Sequence, residues 1–256
     1  MKLNQVAVQS YTLREFCKTA PAFAESCRKV RSLGFEAIQV SAVGPIPEEE
    51  IVRICAGEGL TICATHESGE RILSSPHEIA ERLRKLNCKY TAYPFPTNVD
   101  LTDLDSIRKL ARQLNASGAV LRQAGQLLTY HNHALEFLKL DGKTVLDIIY
   151  DESDKQNLQA EIDTYWVQLG GGDPAAWCRK LHGRLPLLHL KDCVGTVDNK
   201  SQLCEIGSGN LNFKEIVAAA ASAGCKWYIV EQDTCPGDPF DSLRISFEYI
   251  RANLIS

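Results

Sequence analysis

The chain has no excess of basic residues: 28 Lys and Arg face 32 Asp and Glu, a net charge of −4 at pH 7. A protein that grips nucleic acid mainly through its phosphates normally shows the opposite balance, so no nucleic-acid partner is expected. No run of 18 apolar residues occurs, which removes a membrane-spanning helix and, with it, a membrane partner. Residues 1–5 lead straight into a strand-like segment without the apolar stretch of a signal peptide, and a cytoplasmic location is expected. No two of the ten cysteines form a C-x-x-C pair. Most sit inside apolar patterns, and a chain of this length buries a core without disulfides. They read as free thiols of a reducing compartment rather than as a nucleophile or a zinc site. Linker-like tracts and low-complexity segments are also missing, so residues 1–256 read as a single domain.

What is present is alternation. Short apolar or β-branched runs fall at 6–10, 37–41, 61–66, 90–94, 127–133, 158–163, 187–191 and 228–233. Between them come helical spacings: Phe23, Cys27 and Val30 at i, i+4, i+7, and Ile79, Leu83 and Leu86 likewise. A longer helix is predicted over 103–123, and an alanine-rich one over 213–223 that stops at Gly224. Asp173-Pro174 reads as an N-cap followed by proline at the first helical position. Eight βα units in this length predict an α/β fold, a closed (β/α)₈ TIM barrel. An open doubly wound sheet is the alternative, but no Gly-x-Gly-x-x-Gly turn follows an early strand.

In such a barrel the chemistry belongs at the carboxyl ends of the strands. There the sequence places Gln9 and Tyr11, Gln39, His66, His131 and His133, Glu161 and Asp163, His189 and Lys191, and Glu231 and Asp233. Residues two apart share a face, so each of the last four pairs points the same way. A single strand-end His or Asp is most often a hydrogen-bonded structural residue. Several carboxylates and imidazoles converging on one mouth are too much charge to bury without a counterion. One divalent metal ion resolves this, and mixed imidazole and carboxylate ligands suit Mn²⁺, Fe²⁺, Co²⁺ or Zn²⁺ and tolerate Mg²⁺. His77 and His182 read as solvated surface residues. Trp177 and Trp227 fit packing positions, while Trp166 either lines the mouth or caps the core. The two glycines in 205–213 suggest a loop that folds over substrate or binds a phosphate through backbone N–H groups.

These residues, taken in order, resemble the sugar phosphate isomerase/epimerase superfamily, the xylose isomerase-like barrels that include endonuclease IV and inosose dehydratases. The resemblance rests on Val8-Gln9-Ser10-Tyr11, Tyr130-His131-Asn132-His133 with Glu136-Phe137, and Glu161-Ile162-Asp163 with Trp166. It continues through Gly171-Gly172-Asp173-Pro174, His189-Leu190-Lys191-Asp192, residues 207–213 and Glu231-Gln232-Asp233. It implies a metal held by four strand ends, with Asp163, His189 and Glu231 matching three of them. Where many members carry a strand-five Glu, this chain carries His131 and His133; His131 is the favoured ligand, His133 the second and Glu136 a third. The chemistry implied is metal-dependent isomerisation or epimerisation of a sugar, keto-sugar or inosose, begun by proton abstraction beside a metal-bound carbonyl or hydroxyl. Dehydratase or keto-glycoside lyase chemistry is the alternative on the same site, and a non-catalytic sugar-binding barrel a further one. Glu231 is one acid/base, and His133 or Lys191 the second. Lys191 alternatively polarises a substrate oxygen, or is tied up by Asp192 or Asp163. Gln9, Tyr11, Gln39, His66 and Trp166 are the expected contacts to a small-molecule carbohydrate. A nuclease of the endonuclease IV type needs more ligand histidines and a cationic face than this chain has. A homodimer is compatible with the resemblance.

Overall fold

The computed structural model describes residues 1–255. Eight parallel strands close into a barrel: β1 (Val6–Gln9), β2 (Ala37–Val40), β3 (Thr61–His66), β4 (Tyr90–Tyr93), β5 (Leu127–His131), β6 (Leu158–Asp163), β7 (Leu187–Leu190) and β8 (Trp227–Val230), with β8 pairing back onto β1. Each strand leads into at least one helix. These are α1 (Ala20–Leu33), α2 (Glu48–Gly57), α3 (Gly69–Ser74), α4 (Pro76–Lys85), α5 (Leu104–Gln123), α6 (Val145–Asp151), α7 (Thr164–Leu169), α8 (Pro174–Lys180), α9 (Phe213–Ala223) and α10 (Pro239–Asn253). The expected (β/α)₈ architecture is therefore the one observed. Two antiparallel ribbons, Lys139–Leu140 with Lys143–Thr144 and Asp192–Gly195 with Ser201–Cys204, elaborate the loops after β5 and β7.

The helices begin where side chains satisfy their first N–H groups. Asp103 caps α5 through Ser106 N, Asp173 caps α8 through Ala175 N, and Asn212 caps α9 through Glu215 N. The predicted helices at 103–123 and 213–223 thus end within a residue of their expected limits. The main core lies between strands and helices, built from residues such as Val6, Val8, Ile38, Leu188 and Leu190 on the outer strand faces. The inner faces hold a separate cluster of mostly small residues, Ala7, Ala37, Cys63, Ala64, Leu187 and Ile229. By two-residue periodicity Ala7 shares its face with Gln9, Ala37 with Gln39, Leu187 with His189 and Ile229 with Glu231. The apolar plug therefore sits below the polar residues and shuts the amino-terminal end of the barrel.

Several strands end earlier than the sequence pattern suggested. Ser10, Ser41, Pro94, His133, Lys191 and residues 231–233 lie beyond the ladder, where the chain turns outward into the mouth. The register of β2 with β3 also slips by one residue at Ile38/Gln39, so simple alternation does not carry through β3. All ten cysteines are free, eight of them buried. His77 and His182 are exposed, and Trp177 is buried in the core. Among the described residues no helix is long and apolar enough to cross a membrane.

Candidate metal centre

The carboxyl ends of the strands open into a cavity of about 550 Å³. Of the residues expected there, Tyr11, His66, His131, His133, Trp166, Lys191, Glu231 and Asp233 line it. Asp163 and His189 are fully buried at its base. His131, Asp163, His189 and Glu231, from or directly after the four consecutive strands β5 to β8, each present one ligand atom within 4.8 Å of the others. His131 Nε2 and His189 Nδ1 both stand 3.9 Å from Asp163 Oδ2, and His189 Nδ1 is 2.8 Å from Glu231 Oε2. The other oxygen of Asp163 caps α7 through Trp166 N. Its Oδ2 is buried and accepts no hydrogen bond; the Lys191 ammonium 3.2 Å away offsets its charge, and its lone pairs are left to a further cation. Two imidazoles and two carboxylates are suitable donors for a divalent first-row ion, so the residues present fit one.

Lys191 is buried against the same group. Its Nζ is 2.8 Å from Glu231 Oε2, 2.9 Å from Asp233 Oδ2 and 3.2 Å from Asp163 Oδ2. Burial alone would lower its pKa, but the three carboxylates outweigh that and hold it firmly as an ammonium. Of the partners considered from sequence, Asp163 is one and Asp192 is not. His189 behaves similarly: burial opposes its charge, yet Glu161 and Glu231 raise its pKa to about 10. Burial pushes Asp163 up to about 6 against the pull of Lys191 and His189. His133 goes the other way. Burial, with Lys191 adding to it, lowers its pKa to about 4, so it is neutral at pH 7. Its ring packs 5.2 Å from Trp166 and 5.1 Å from Phe95, and its Nδ1 is buried without a partner.

Two expected substrate contacts lie elsewhere. Gln9 and Gln39 are fully buried and line no part of the cavity. Gln39 accepts from Gln9 Nε2 at 3.0 Å, faces His189 Nε2 at 2.7 Å through the same oxygen, and donates to Glu161 Oε2 at 2.9 Å. They form a layer beneath the site, because they precede the mouth by one turn of the inward-facing alternation. Glu136, the third ligand candidate, also points away. It is fully buried and accepts from Tyr130 Oη at 2.9 Å and His133 N at 2.7 Å. The loop at 205–213 carries no free anion cradle either. The N–H groups of Gly207 and Gly209 donate to Asp192 Oδ2 at 2.9 and 3.1 Å. That of Leu211 reaches Oδ1 at 3.3 Å, and Cys193 N adds a fourth bond at 2.8 Å. A Cβ on Gly209 would lie 2.3 Å from Asp192 Oδ1, so this close approach needs glycine.

The residue range 27–253 matches the profile of the xylose isomerase-like TIM barrel. The chain belongs to that family. Among curated proteins of related sequence, an inosose dehydratase of Geobacillus thermodenitrificans is 26% identical over 155 residues, 54% of this chain and 51% of that protein. The match thus spans about half the length of that relative. Among solved structures, a sugar phosphate isomerase/epimerase from Parabacteroides distasonis superposes with a TM-score of 0.84 at 20% identity, covering 99% of this chain and 96% of that one. A barrel of this family from Mycobacterium smegmatis, in complex with magnesium, gives a TM-score of 0.72 at 16% identity, covering 96% and 95%. At these identities the two solved structures bear on fold alone.

Sequence reasoning singled out no role for Glu161, Asp233 or Glu67. Glu161 lies under the histidines, Asp233 holds Lys191, and Glu67 lines the cavity while paired with Arg82 at 2.9 Å. Parity with Asp163 was the available signal for Glu161, but parity sets a face and not a depth.

Proposed function

We propose that this barrel is a metal-dependent isomerase or epimerase of an unphosphorylated sugar, keto-sugar or inosose. The observation that carries the reading is the four-residue donor set, His131, Asp163, His189 and Glu231, with Asp163 Oδ2, which accepts no hydrogen bond, at its centre. A divalent ion bound there supplies Lewis acidity, which raises the acidity of a C–H beside a carbonyl. The chain's own groups do the rest. His133, neutral and lining the cavity, takes the proton from carbon and returns it. Lys191, held as an ammonium, stabilises negative charge on the substrate oxygen. Tyr11, Phe95 and Trp166 offer rings to the apolar face of a sugar, and His66 offers a polar contact.

The charge pattern favours a substrate without phosphate. Among the described residues Lys191 is the one lysine or arginine lining the cavity, a single positive charge against a phosphate dianion. Arg14 is directed at the carbonyl oxygens of Tyr11 and Asp233, and the loop N–H groups are taken by Asp192. The partial match to an inosose dehydratase supports a second reading on the same site. Elimination of water from a keto-polyol starts with the same proton abstraction, so dehydration or keto-glycoside cleavage follows if a leaving group stands beta to the carbonyl.

Elemental analysis of the purified protein, before and after chelation, tests the centre. About one divalent ion per chain is expected for an isomerase-type site, lost in Asp163→Ala and reduced in His131→Ala. Incubation in D₂O with keto-sugars and inososes, read by NMR, tests the chemistry. Deuterium enters at carbon with the wild type and not with His133→Ala, which keeps its metal. No ion after addition of Mn²⁺, Co²⁺ or Zn²⁺ refutes the centre. Unchanged exchange in His133→Ala refutes the base.

A further inference from the structure

Two overlapping groups of donors occupy the barrel. The upper one is the proposed metal site. The lower one comprises His66, His131, Glu161 and His189, and His131 and His189 belong to both. Each of the shared imidazoles turns one nitrogen up and the other down. His131 directs Nε2 to Asp163 and Nδ1 to Glu161; His189 directs Nδ1 to Asp163 and Glu231 and Nε2 to Glu161.

The two groups differ in how tightly they are closed. In the upper one the nitrogens stand 3.9 Å from Asp163 Oδ2, close to the separation of two donors each about 2.0–2.2 Å from an ion, while His189 Nδ1 and Glu231 Oε2, now 2.8 Å apart, would exchange their hydrogen bond for it. In the lower one Glu161 Oε1 itself fills the centre. His189 Nε2 is 2.9 Å from that oxygen, His131 Nδ1 is 3.2 Å away and off the ideal hydrogen-bond direction, and His66 Nε2 is in direct hydrogen-bond contact. Gln39 Nε2 donates to the other oxygen at 2.9 Å. Three donors thus bind a fully buried carboxylate that has about four lone-pair sites, and His131 Nδ1, still without a partner, stands next to it.

The orientation of Gln39 decides where the proton of His189 sits. Its amide nitrogen must face the Glu161 carboxylate, since the opposite flip would set oxygen against oxygen. Its Oε1 therefore faces His189 Nε2 at 2.7 Å. With two acceptors before it, Nε2 carries a hydrogen; Nδ1, hydrogen-bonded to Glu231 Oε2 at 2.8 Å, is the nitrogen that gives up its own where a metal takes its place.

We propose that Glu161 is the positioning residue of the metal centre, taking the downward N–H of His131 and His189 so that Nε2 of His131 and Nδ1 of His189 are left as the metal-facing lone pairs. The two ligand histidines are consequently held in opposite tautomers by one carboxylate. A metal-ligating imidazole ordinarily donates its second N–H to such a partner, and loss of the partner typically costs 10–100-fold in affinity. Here one residue serves two ligands. The inference rests on the metal site proposed above.

Co²⁺ titration against a competing chelator tests it, on wild type, Glu161→Gln, Glu161→Asp and Asp163→Asn. Glu161→Gln is expected to bind Co²⁺ 10–100-fold more weakly than wild type, with altered visible absorption bands. Glu161→Asp should recover part of the loss, and Asp163→Asn should lose binding most severely. Unchanged affinity and bands in Glu161→Gln overturn the inference while leaving the metal site standing. Loss in Glu161→Gln with retention in Asp163→Asn overturns it too, placing the ion in the lower group. Wild type that takes up no Co²⁺ removes the metal reading and the inference together. A measurement without substitutions stands beside these: long-range ¹⁵N–¹H spectra of the Zn²⁺-loaded wild type should place hydrogens on His189 Nε2 and His131 Nδ1. Hydrogens on the opposite nitrogens overturn the assignment whatever the variants do.

Discussion

Asp192 offers the sharpest test of how the loop over the barrel mouth is held. Its carboxylate is buried and takes four backbone N–H groups, from Cys193, Gly207, Gly209 and Leu211, at 2.8 to 3.3 Å. A hydrogen bond to a charged group contributes about 1.5–3 kcal/mol. After truncation to Ala, the exposed Gly207 N–H regains water, whereas the Cys193 N–H lies in a buried residue and does not. The contributions are not additive, so Asp192→Ala should destabilise the protein by about 4 kcal/mol, less than the four bonds summed. At about 2–4 °C per kcal/mol for a chain of this size, the midpoint should fall by about 8–16 °C. Asp192→Asn keeps one acceptor and turns a donor toward the remaining N–H groups, and should fall roughly half as far. Calorimetry measures both, and hydrogen exchange should show the amides of Gly207, Gly209 and Leu211 losing protection first. A midpoint within about 2 °C of wild type in Asp192→Ala refutes the clip as the loop's anchor.

Two further predictions follow from buried positions away from the cavity. Gly118 lies within α5, where Ala normally stabilises by about 1 kcal/mol. A Cβ there would sit 1.9 Å from the carbonyl oxygen of Asn157, so Gly118→Ala should instead destabilise by more than about 2 kcal/mol, read by urea unfolding; a gain in stability contradicts the close approach. Glu136 has its pKa raised to about 7, chiefly by burial and against the hydrogen bonds it accepts. Its folded value lies above its unfolded one, so its contribution is fully present below about pH 4.5 and is lost as the pH rises through about 7. Glu136→Gln removes that titration. Its unfolding free energy should therefore gain on wild type between pH 5 and pH 8, by up to about 3 kcal/mol, and a difference independent of pH refutes the assignment.

The barrel was legible because helical and strand periodicities alternate eight times, and each expected run contains one barrel strand or nearly all of it. The runs overshot at their carboxyl ends. Residues such as His133, Lys191 and Asp233 keep the two-residue spacing after the ladder has stopped, and spacing alone does not show where backbone pairing ends. The same parity put His131, Asp163, His189 and Glu231 on inward faces. It could not rank them by height, and so Gln9 and Gln39 looked like mouth residues although they lie a layer lower. Glu161 and Asp163 are indistinguishable by face and differ only in depth. The partners of the 205–213 loop were invisible for another reason: its N–H groups are filled by a carboxylate 15 to 19 residues earlier, a contact that only the closed fold creates.

Lys191 and Asp192 are consecutive, yet one is fixed among the carboxylates of the site and the other is fixed by the loop outside it. A single peptide unit joins the two anchorages, and Thr164 pins it further, its hydroxyl accepting from Lys191 N at 2.9 Å and donating to Lys191 O at 2.8 Å. There is no slack in such a tether. An excursion of the 205–213 loop large enough to drag Asp192 would move the backbone of Lys191 as well, so rim and cavity floor share one stretch of chain.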